Sequence, residues 1–184
     1  MNYLNRFKHL SDAAVDNLYN LVKDMINKNT TNILEVGTYA GQATIRLAAA
    51  AAEENDSIQV ISIDENSDTF SPSAQESLKV NNFYNTSVHH GELDKRFEEN
   101  IVKASIIYID RFHDQIEAKM KLIQKNVIVP TKVIFRNPKN SEDFPFEVSE
   151  VAPEVKPRAR KKTTEVATPE STKSATKENK KETT

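Results

Sequence analysis

Two of the three glycines in the chain, Gly37 and Gly41, lie just after a short apolar run, Ile33–Val36. The run is broken only by Glu35 and predicts a buried strand, while the alanine-rich stretch after Gly41 predicts a helix. Glycine lets the backbone turn sharply and approach a ligand, and the first amides of a helix can bind an anion. The arrangement is typical of a strand, turn and helix that hold a nucleotide-like ligand at the carboxyl end of a parallel sheet.

The glycine spacing distinguishes this turn from two common phosphate-binding motifs. It is not the G-x-G-x-x-G pattern of dinucleotide-binding folds, and no Gly-Lys-Ser/Thr follows, as a P-loop requires. The segment Asn32–Leu47 resembles motif I of class I S-adenosylmethionine-dependent methyltransferases, most closely the small-molecule O-methyltransferase and cephalosporin-hydroxylase-like branch. A pattern E-x-G-T-x-x-G-x-S/T is common there, and the residues that fit it are Glu35, Gly37, Thr38, Gly41 and Thr44. The alternative is an ordinary strand-to-helix turn of another α/β protein.

A second candidate for ligand binding is Asp64, which ends the apolar run Ile58–Ile63. In a doubly wound fold, an acid at the end of the second strand hydrogen-bonds ribose hydroxyls. The separation between Gly37 and Asp64 fits a turn, a helix and a strand. The alternative is a solvated acid at a strand end, and the upstream glycine turn favours the ligand role.

The resemblance implies S-adenosylmethionine as the cofactor and assigns parts of it to parts of the chain. The carboxylate end would lie over the glycine turn, the ribose would bind Asp64, and the adenine would lie near the third predicted strand. At that place the family carries a Gly-Asp pair, and this chain has a longer acid after its glycine. The cofactor-binding residues implied in this way are Glu35, Gly37, Thr38, Tyr39, Gly41, Asp64, Gly91 and Glu92.

The segment after the fourth predicted strand, Ser105–Ile109, resembles the family's I-D-G-x-H-x-Y sequence. In that sequence the acid and the histidine lie at the mouth of the active site. Asp110 and His113 match it, although Arg111 replaces the glycine. Either matching residue could serve as the base for an acceptor hydroxyl, and histidine has the pKa nearer to neutrality.

The end of the fifth predicted strand, Lys132–Phe135, argues against a metal site. Metal-dependent relatives carry Asp-Asn there, and both side chains ligate magnesium together with the acid after the fourth strand. Here Asn137 and Asp110 remain, but Arg136 replaces the middle acid. Because a guanidinium would repel a cation, we predict no metal ligands and a metal-independent reaction.

Apolar runs alternate with helical patterns between residues 32 and 135. This alternation predicts a Rossmann-like, doubly wound α/β fold with a parallel sheet of strand order 3-2-1-4-5. An amphipathic helix with Ser11 as its N-cap precedes the first strand. One further strand, Phe144–Val151, predicts an incomplete C-terminal hairpin where the family adds two strands. Such an exposed last strand would favour a homodimer through the sheet edge.

Composition divides the chain into a domain at residues 1–150 and a disordered tail at residues 153–184. The domain carries 16 Lys/Arg and 22 Asp/Glu, which argues against general nucleic-acid binding by it. The tail is rich in Lys, Glu and Thr, and its basic cluster, Lys156–Lys162, could bind a polyanion or acidic partner or simply maintain solubility. The absence of cysteine, of a transmembrane run and of a signal peptide predicts a cytoplasmic protein without membrane contact.

The function predicted from these residues is S-adenosylmethionine-dependent methyl transfer, of O-methyltransferase type, to a small-molecule acceptor. The rival hypothesis is a catalytically degenerate domain that acts as a binding or structural module, because the fifth strand lacks its acid and the acceptor-binding parts are nearly absent. The sequence does not indicate the acceptor, the pathway or the oligomeric state.

Overall fold

The structure, a computed structural model, describes residues 10–38, 41–64, 71–90, 93–110, 115–137 and 139–153. Helices and strands alternate from the first helix to the fifth strand, and a sixth strand follows directly. The helices are α1 Asp12–Met25, α2 Gln42–Glu54, α3 Ser71–Val80, α4 Leu93–Ile101 and α5 Ile116–Asn126; the strands are β1 Asn32–Val36, β2 Gln59–Asp64, β3 Thr86–His90, β4 Ile106–Ile109, β5 Thr131–Arg136 and β6 Phe146–Val151.

The strands form one sheet of order β3-β2-β1-β4-β5-β6. The first five strands are parallel and β6 is antiparallel to β5, so the predicted order 3-2-1-4-5 and the single C-terminal strand are confirmed. The strand order reverses direction at β1, which pairs with β2 on one side and β4 on the other. In open α/β sheets, ligands bind in the crevice outside the carboxyl ends of the strands at this switch point.

Two apolar clusters cover the two faces of the sheet. One contains the buried side of α1, including Leu18 and Val22, and the alanine-rich side of α2. The other contains Phe97 and Ile101 of α4 and Ile123 of α5. All four residues of β4 are buried, as expected for a central parallel strand that is covered on both faces. The core therefore holds the carboxyl ends of β1, β2 and β4 at fixed positions.

The last strand is integrated into the domain. Phe146 is buried and packs edge to face against Tyr108 of β4, with ring centroids 6.1 Å apart. The loop before β6 contacts the start of α1: Ser11 Oγ donates to Asp143 Oδ1 at 3.2 Å, and Asn17 Nδ2 donates to the Asp143 carbonyl at 2.8 Å. Ser11 also caps α1, as predicted, by accepting from Ala14 N. The hairpin thus joins the end of the described chain to its beginning.

Several predictions fall outside the described residues. These are the disordered tail with its basic cluster, and the site residues Tyr39, Gly91, Glu92 and His113. Within the described part of the chain, no further strand pairs with the outer edge of β6, and a homodimer through that edge stays a prediction. None of the described helices is long and apolar enough to cross a membrane.

We expect β6 to contribute strongly to stability. Phe146→Ala should lower the free energy of unfolding by about 3–5 kcal/mol, because it removes a buried aromatic ring and leaves a cavity. The neighbouring Phe144, which packs on Phe146 at 5.6 Å but is 44% exposed, provides the matched control. Phe144→Ala should cost about 1 kcal/mol or less. Urea denaturation of both variants measures the difference. Equally small losses in the free energy of unfolding of the two variants would contradict a strong contribution of β6 to stability.

Candidate functional site

The turn after β1 has the backbone conformation that its glycines predict. Gly37 has φ 103° and Gly41 has φ 83°, both in the left-handed region that residues with a Cβ atom avoid. Gly37 N donates to the Ile63 carbonyl at 2.9 Å, and Gly41 N donates to the Thr38 carbonyl at 2.8 Å. The chain therefore leaves the sheet at the switch point, and the hydrogen bond from Gly41 to Thr38 closes a turn directly before α2.

The N-terminus of α2 faces the same turn. Gly41 is its N-cap residue, and no side chain among the described residues caps the helix. The first amide groups of a helix have no partner within the helix and carry the positive end of its dipole. The 13-residue α2 thus directs uncapped backbone donors toward the space beside Gly37.

A buried hydrogen-bond network supports the turn from beneath. Glu35 lies opposite Ser62 in the β1–β2 register, and its Oε2 accepts from Ser62 Oγ at 2.5 Å and from Thr44 Oγ1 at 2.6 Å. Ser62 Oγ also lies 2.5 Å from Thr38 Oγ1. In that last bond either hydroxyl group can be the donor. One carboxyl group therefore connects β1, β2, α2 and the glycine turn.

The Glu35 carboxyl group is fully buried. The pKa of Glu35 is raised to about 8, with burial as the largest cause; the hydrogen bonds from Ser62 and Thr44 lower it, and nearby Asp110 and Asp64 add to the rise. Its second oxygen, Oε1, has no hydrogen-bond partner among the described residues. The protonated form is therefore favoured at neutral pH, and a positively charged ligand group nearby would favour ionisation.

Two further acids lie at the same edge of the sheet. Asp64 is the last residue of β2 and Asp110 directly follows β4, and each is 3% exposed. The Asp110 amide donates to the Val36 carbonyl at 3.0 Å, which places Asp110 beside the glycine turn. The structure thus brings six of the predicted site residues to the carboxyl edge: Glu35, Gly37, Thr38, Gly41, Asp64 and Asp110.

The residues at the end of β5 take different positions. Arg136 Nη1 lies 3.3 Å from Asp110 Oδ1 and forms an ion pair with it. Asn137 turns away: its Nδ2 donates to Glu147 Oε1 on β6, and its Oδ1 accepts from Lys139 N at 3.0 Å. Asn137 therefore stabilises the β5–β6 turn. No group of three or more potential metal-ligating side chains occurs in the described ranges.

Sequence reasoning missed Ser62 as part of the site. A serine within the apolar strand IQVISI is itself a signal, because it lies on the same face of the strand as Asp64. Its significance depends on the strand register, which places it opposite Glu35. The Asp110–Arg136 pair was missed for the same reason.

Comparison with known proteins identifies the fold. No protein-family model and no curated protein matches the chain. An O-methyltransferase from Bacillus cereus, solved with SAH, is 19% identical over 73% of this chain and 64% of its own, with a TM-score of 0.59. TomG, a Streptomyces achromogenes O-methyltransferase of tomaymycin synthesis solved with SAM, is 17% identical over 73% and 63%, with a TM-score of 0.58.

A methyltransferase from Geobacter sulfurreducens is similar too, at 17% identity over 71% of this chain and 64% of its own, with a TM-score of 0.58. The fold is that of the O-methyltransferases. The predicted Rossmann-like architecture is thereby confirmed. This chain spans less than two thirds of the length of each of these three proteins.

The Glu35 carboxyl predicts a specific dependence of stability on pH. Its folded pKa of about 8 lies above the ordinary value of 4.5, so folding favours the neutral form. The resulting stabilisation is present below about pH 4.5 and is lost as the pH rises through about 8. Relative to Glu35→Gln, the wild type should therefore lose stability between pH 5 and pH 9.

Urea denaturation of the two proteins across this pH range measures the effect. Glu117→Gln, which neutralises an exposed glutamate on α5, is the matched control and should follow the wild type. If the free energy of unfolding changed with pH in the same way for the wild type and Glu35→Gln, this would contradict the buried, neutral state of the Glu35 carboxyl.

Proposed function

We propose that the protein is an S-adenosylmethionine-dependent methyltransferase that transfers a methyl group to an oxygen atom of a small molecule. The observation that carries the proposal is the glycine turn at the switch point of the sheet, with the buried Glu35 network beneath it and the uncapped N-terminus of α2 beside it. The folds of solved O-methyltransferases, two of them with SAM or SAH bound, support it.

The charges at the carboxyl edge suit this cofactor. S-adenosylmethionine carries a carboxylate, an ammonium and a sulfonium group, so it has one negative and two positive charges. The uncapped amides of α2 would bind the carboxylate. The positive groups would lie near Glu35 and Asp110, and Asp64 would accept hydrogen bonds from the ribose hydroxyls. Because Gly37 lacks a Cβ atom, the backbone leaves room for the ligand.

The cofactor would supply an electrophilic methyl group, and the chain would position the acceptor and take up its proton. Methyl transfer is an in-line displacement, so orientation supplies a large part of the rate enhancement. Asp110 or His113 would accept the proton of the acceptor hydroxyl. Of the two, Asp110 is the one that the structure describes, and it is paired with Arg136. The same arginine favours a metal-independent reaction, because its positive charge lies where a metal ion would bind Asp110.

The cofactor proposal predicts measurable effects at Asp64. Asp64→Ala should weaken the binding of S-adenosylhomocysteine by about 1–3 kcal/mol, the contribution of hydrogen bonds to a charged group. Isothermal titration calorimetry measures the change in affinity. Asp56→Ala removes an exposed acid between α2 and β2, at the opposite end of β2, and should leave the affinity unchanged. Equal affinities of wild type and Asp64→Ala would remove Asp64 from the site.

A further inference from the structure

Arg136 places a guanidinium at the carboxyl edge of the sheet, beside the proposed cofactor site. Ile109 of β4 lies opposite Phe135 of β5, so the next residues, Asp110 and Arg136, are neighbours. The side chain of Arg136 is 24% exposed, whereas that of Asp110 is 3% exposed. The arginine therefore covers the buried acid and keeps part of its guanidinium in contact with solvent.

The contact with Asp110 uses little of the hydrogen-bonding capacity of this guanidinium. Arginine has five N–H donors in a planar fork. In the described structure, Arg136 makes its one polar side-chain contact through a single nitrogen, at 3.3 Å from Asp110 Oδ1. A bidentate arginine–carboxylate pair would use two parallel N–H groups. The remaining donors can therefore bind a second oxyanion, and a planar carboxylate fits their geometry.

The position of Arg136 in the sheet is suited to an acceptor. Asp64 on β2 would hold the ribose on one side of β1, so the reactive end of the cofactor would face the other side, where β4 and β5 lie. Neighbouring strands are about 4.8 Å apart, which places the end of β5 about 10 Å from the end of β1. A small acceptor that approaches the methyl group from this side would lie next to Arg136.

We propose that Arg136 binds the acceptor directly and selects small hydroxyl compounds that also carry a carboxylate. This inference rests on the proposed function and specifies its substrate class. If Arg136 served only to neutralise Asp110, the site would show no preference between a charged acceptor and a neutral one of the same shape. The preference for charge is therefore the decisive observation.

The test uses the full-length protein saturated with S-adenosylhomocysteine and two probes of matched shape, 3-hydroxybenzoate and 3-hydroxybenzamide. Calorimetry or ligand-observed NMR gives the two affinities. We expect the affinity of the wild type for the benzoate to be at least about tenfold higher than its affinity for the benzamide. One charge-assisted contact predicts a difference of this size. This comparison needs no variant, so it does not depend on whether a substituted protein folds.

Arg136→Met identifies the residue responsible, because methionine removes the positive charge that would favour a carboxylate and keeps an unbranched side chain. The variant should still bind S-adenosylhomocysteine and lose most of the preference for the benzoate. Arg96→Met on α4 removes another partly exposed arginine, one paired with Glu99, and should keep the full preference.

Equal affinities of the wild type for the two probes, or an unchanged preference in Arg136→Met, would overturn the role of Arg136 while cofactor binding stands. Failure of the wild type to bind S-adenosylhomocysteine at all would overturn the proposed function itself, and this inference with it.

Discussion

The buried carboxyl group of Glu35 is the interaction on which the carboxyl edge of the sheet depends. It accepts hydrogen bonds from Ser62 and Thr44, and through Ser62 it reaches Thr38 in the glycine turn. Burying a carboxyl group is costly unless its hydrogen bonds are satisfied, and here one oxygen lacks a partner among the described residues. An apolar residue at this position would avoid that cost. Proteins accept such a cost most often where function requires it.

The network also explains how a short turn can be held in place at the switch point. Strands β1 and β2 supply the acid and the serine, α2 supplies Thr44, and the turn supplies Thr38. Each element is fixed in turn by the two apolar clusters on either side of the sheet. The glycines then need only provide the backbone conformation, because the hydrogen bonds and the core hold the turn against the sheet.

Charge is distributed unevenly along the carboxyl edge. Glu35, Asp64 and Asp110 lie at the ends of β1, β2 and β4, and Arg136 lies beyond them on β5. The acidic side suits a ligand with positive groups, and the guanidinium suits an anionic one. The order of strands thus separates the acids of β1 and β2 from the guanidinium of β5, with Asp110 between them.

The sequence predicted the parts of this structure that depend on local pattern. Apolar runs that end in an acid or a glycine mark parallel strands, and crossover handedness then orders them, so 3-2-1-4-5 and the positions of Gly37 and Asp64 followed. Side-chain contacts between neighbouring strands could not be predicted in this way, because they depend on the register of strand pairing. Ser62 opposite Glu35 and Asp110 beside Arg136 are both consequences of register. Asn137 donates to Glu147 on β6, a contact that its position in the sequence does not indicate.

The most direct test of the central claim is the number of protons released when S-adenosylmethionine binds, measured by calorimetry at pH 7 in two buffers that differ in ionisation enthalpy. With a pKa of about 8, Glu35 is mostly protonated in the free protein, and the positive groups of the cofactor would lower that pKa. We expect the wild type to release a substantial fraction of one proton on binding and Glu35→Gln to release clearly less. Absence of binding at millimolar cofactor, or equal proton release by the two proteins, would contradict this account.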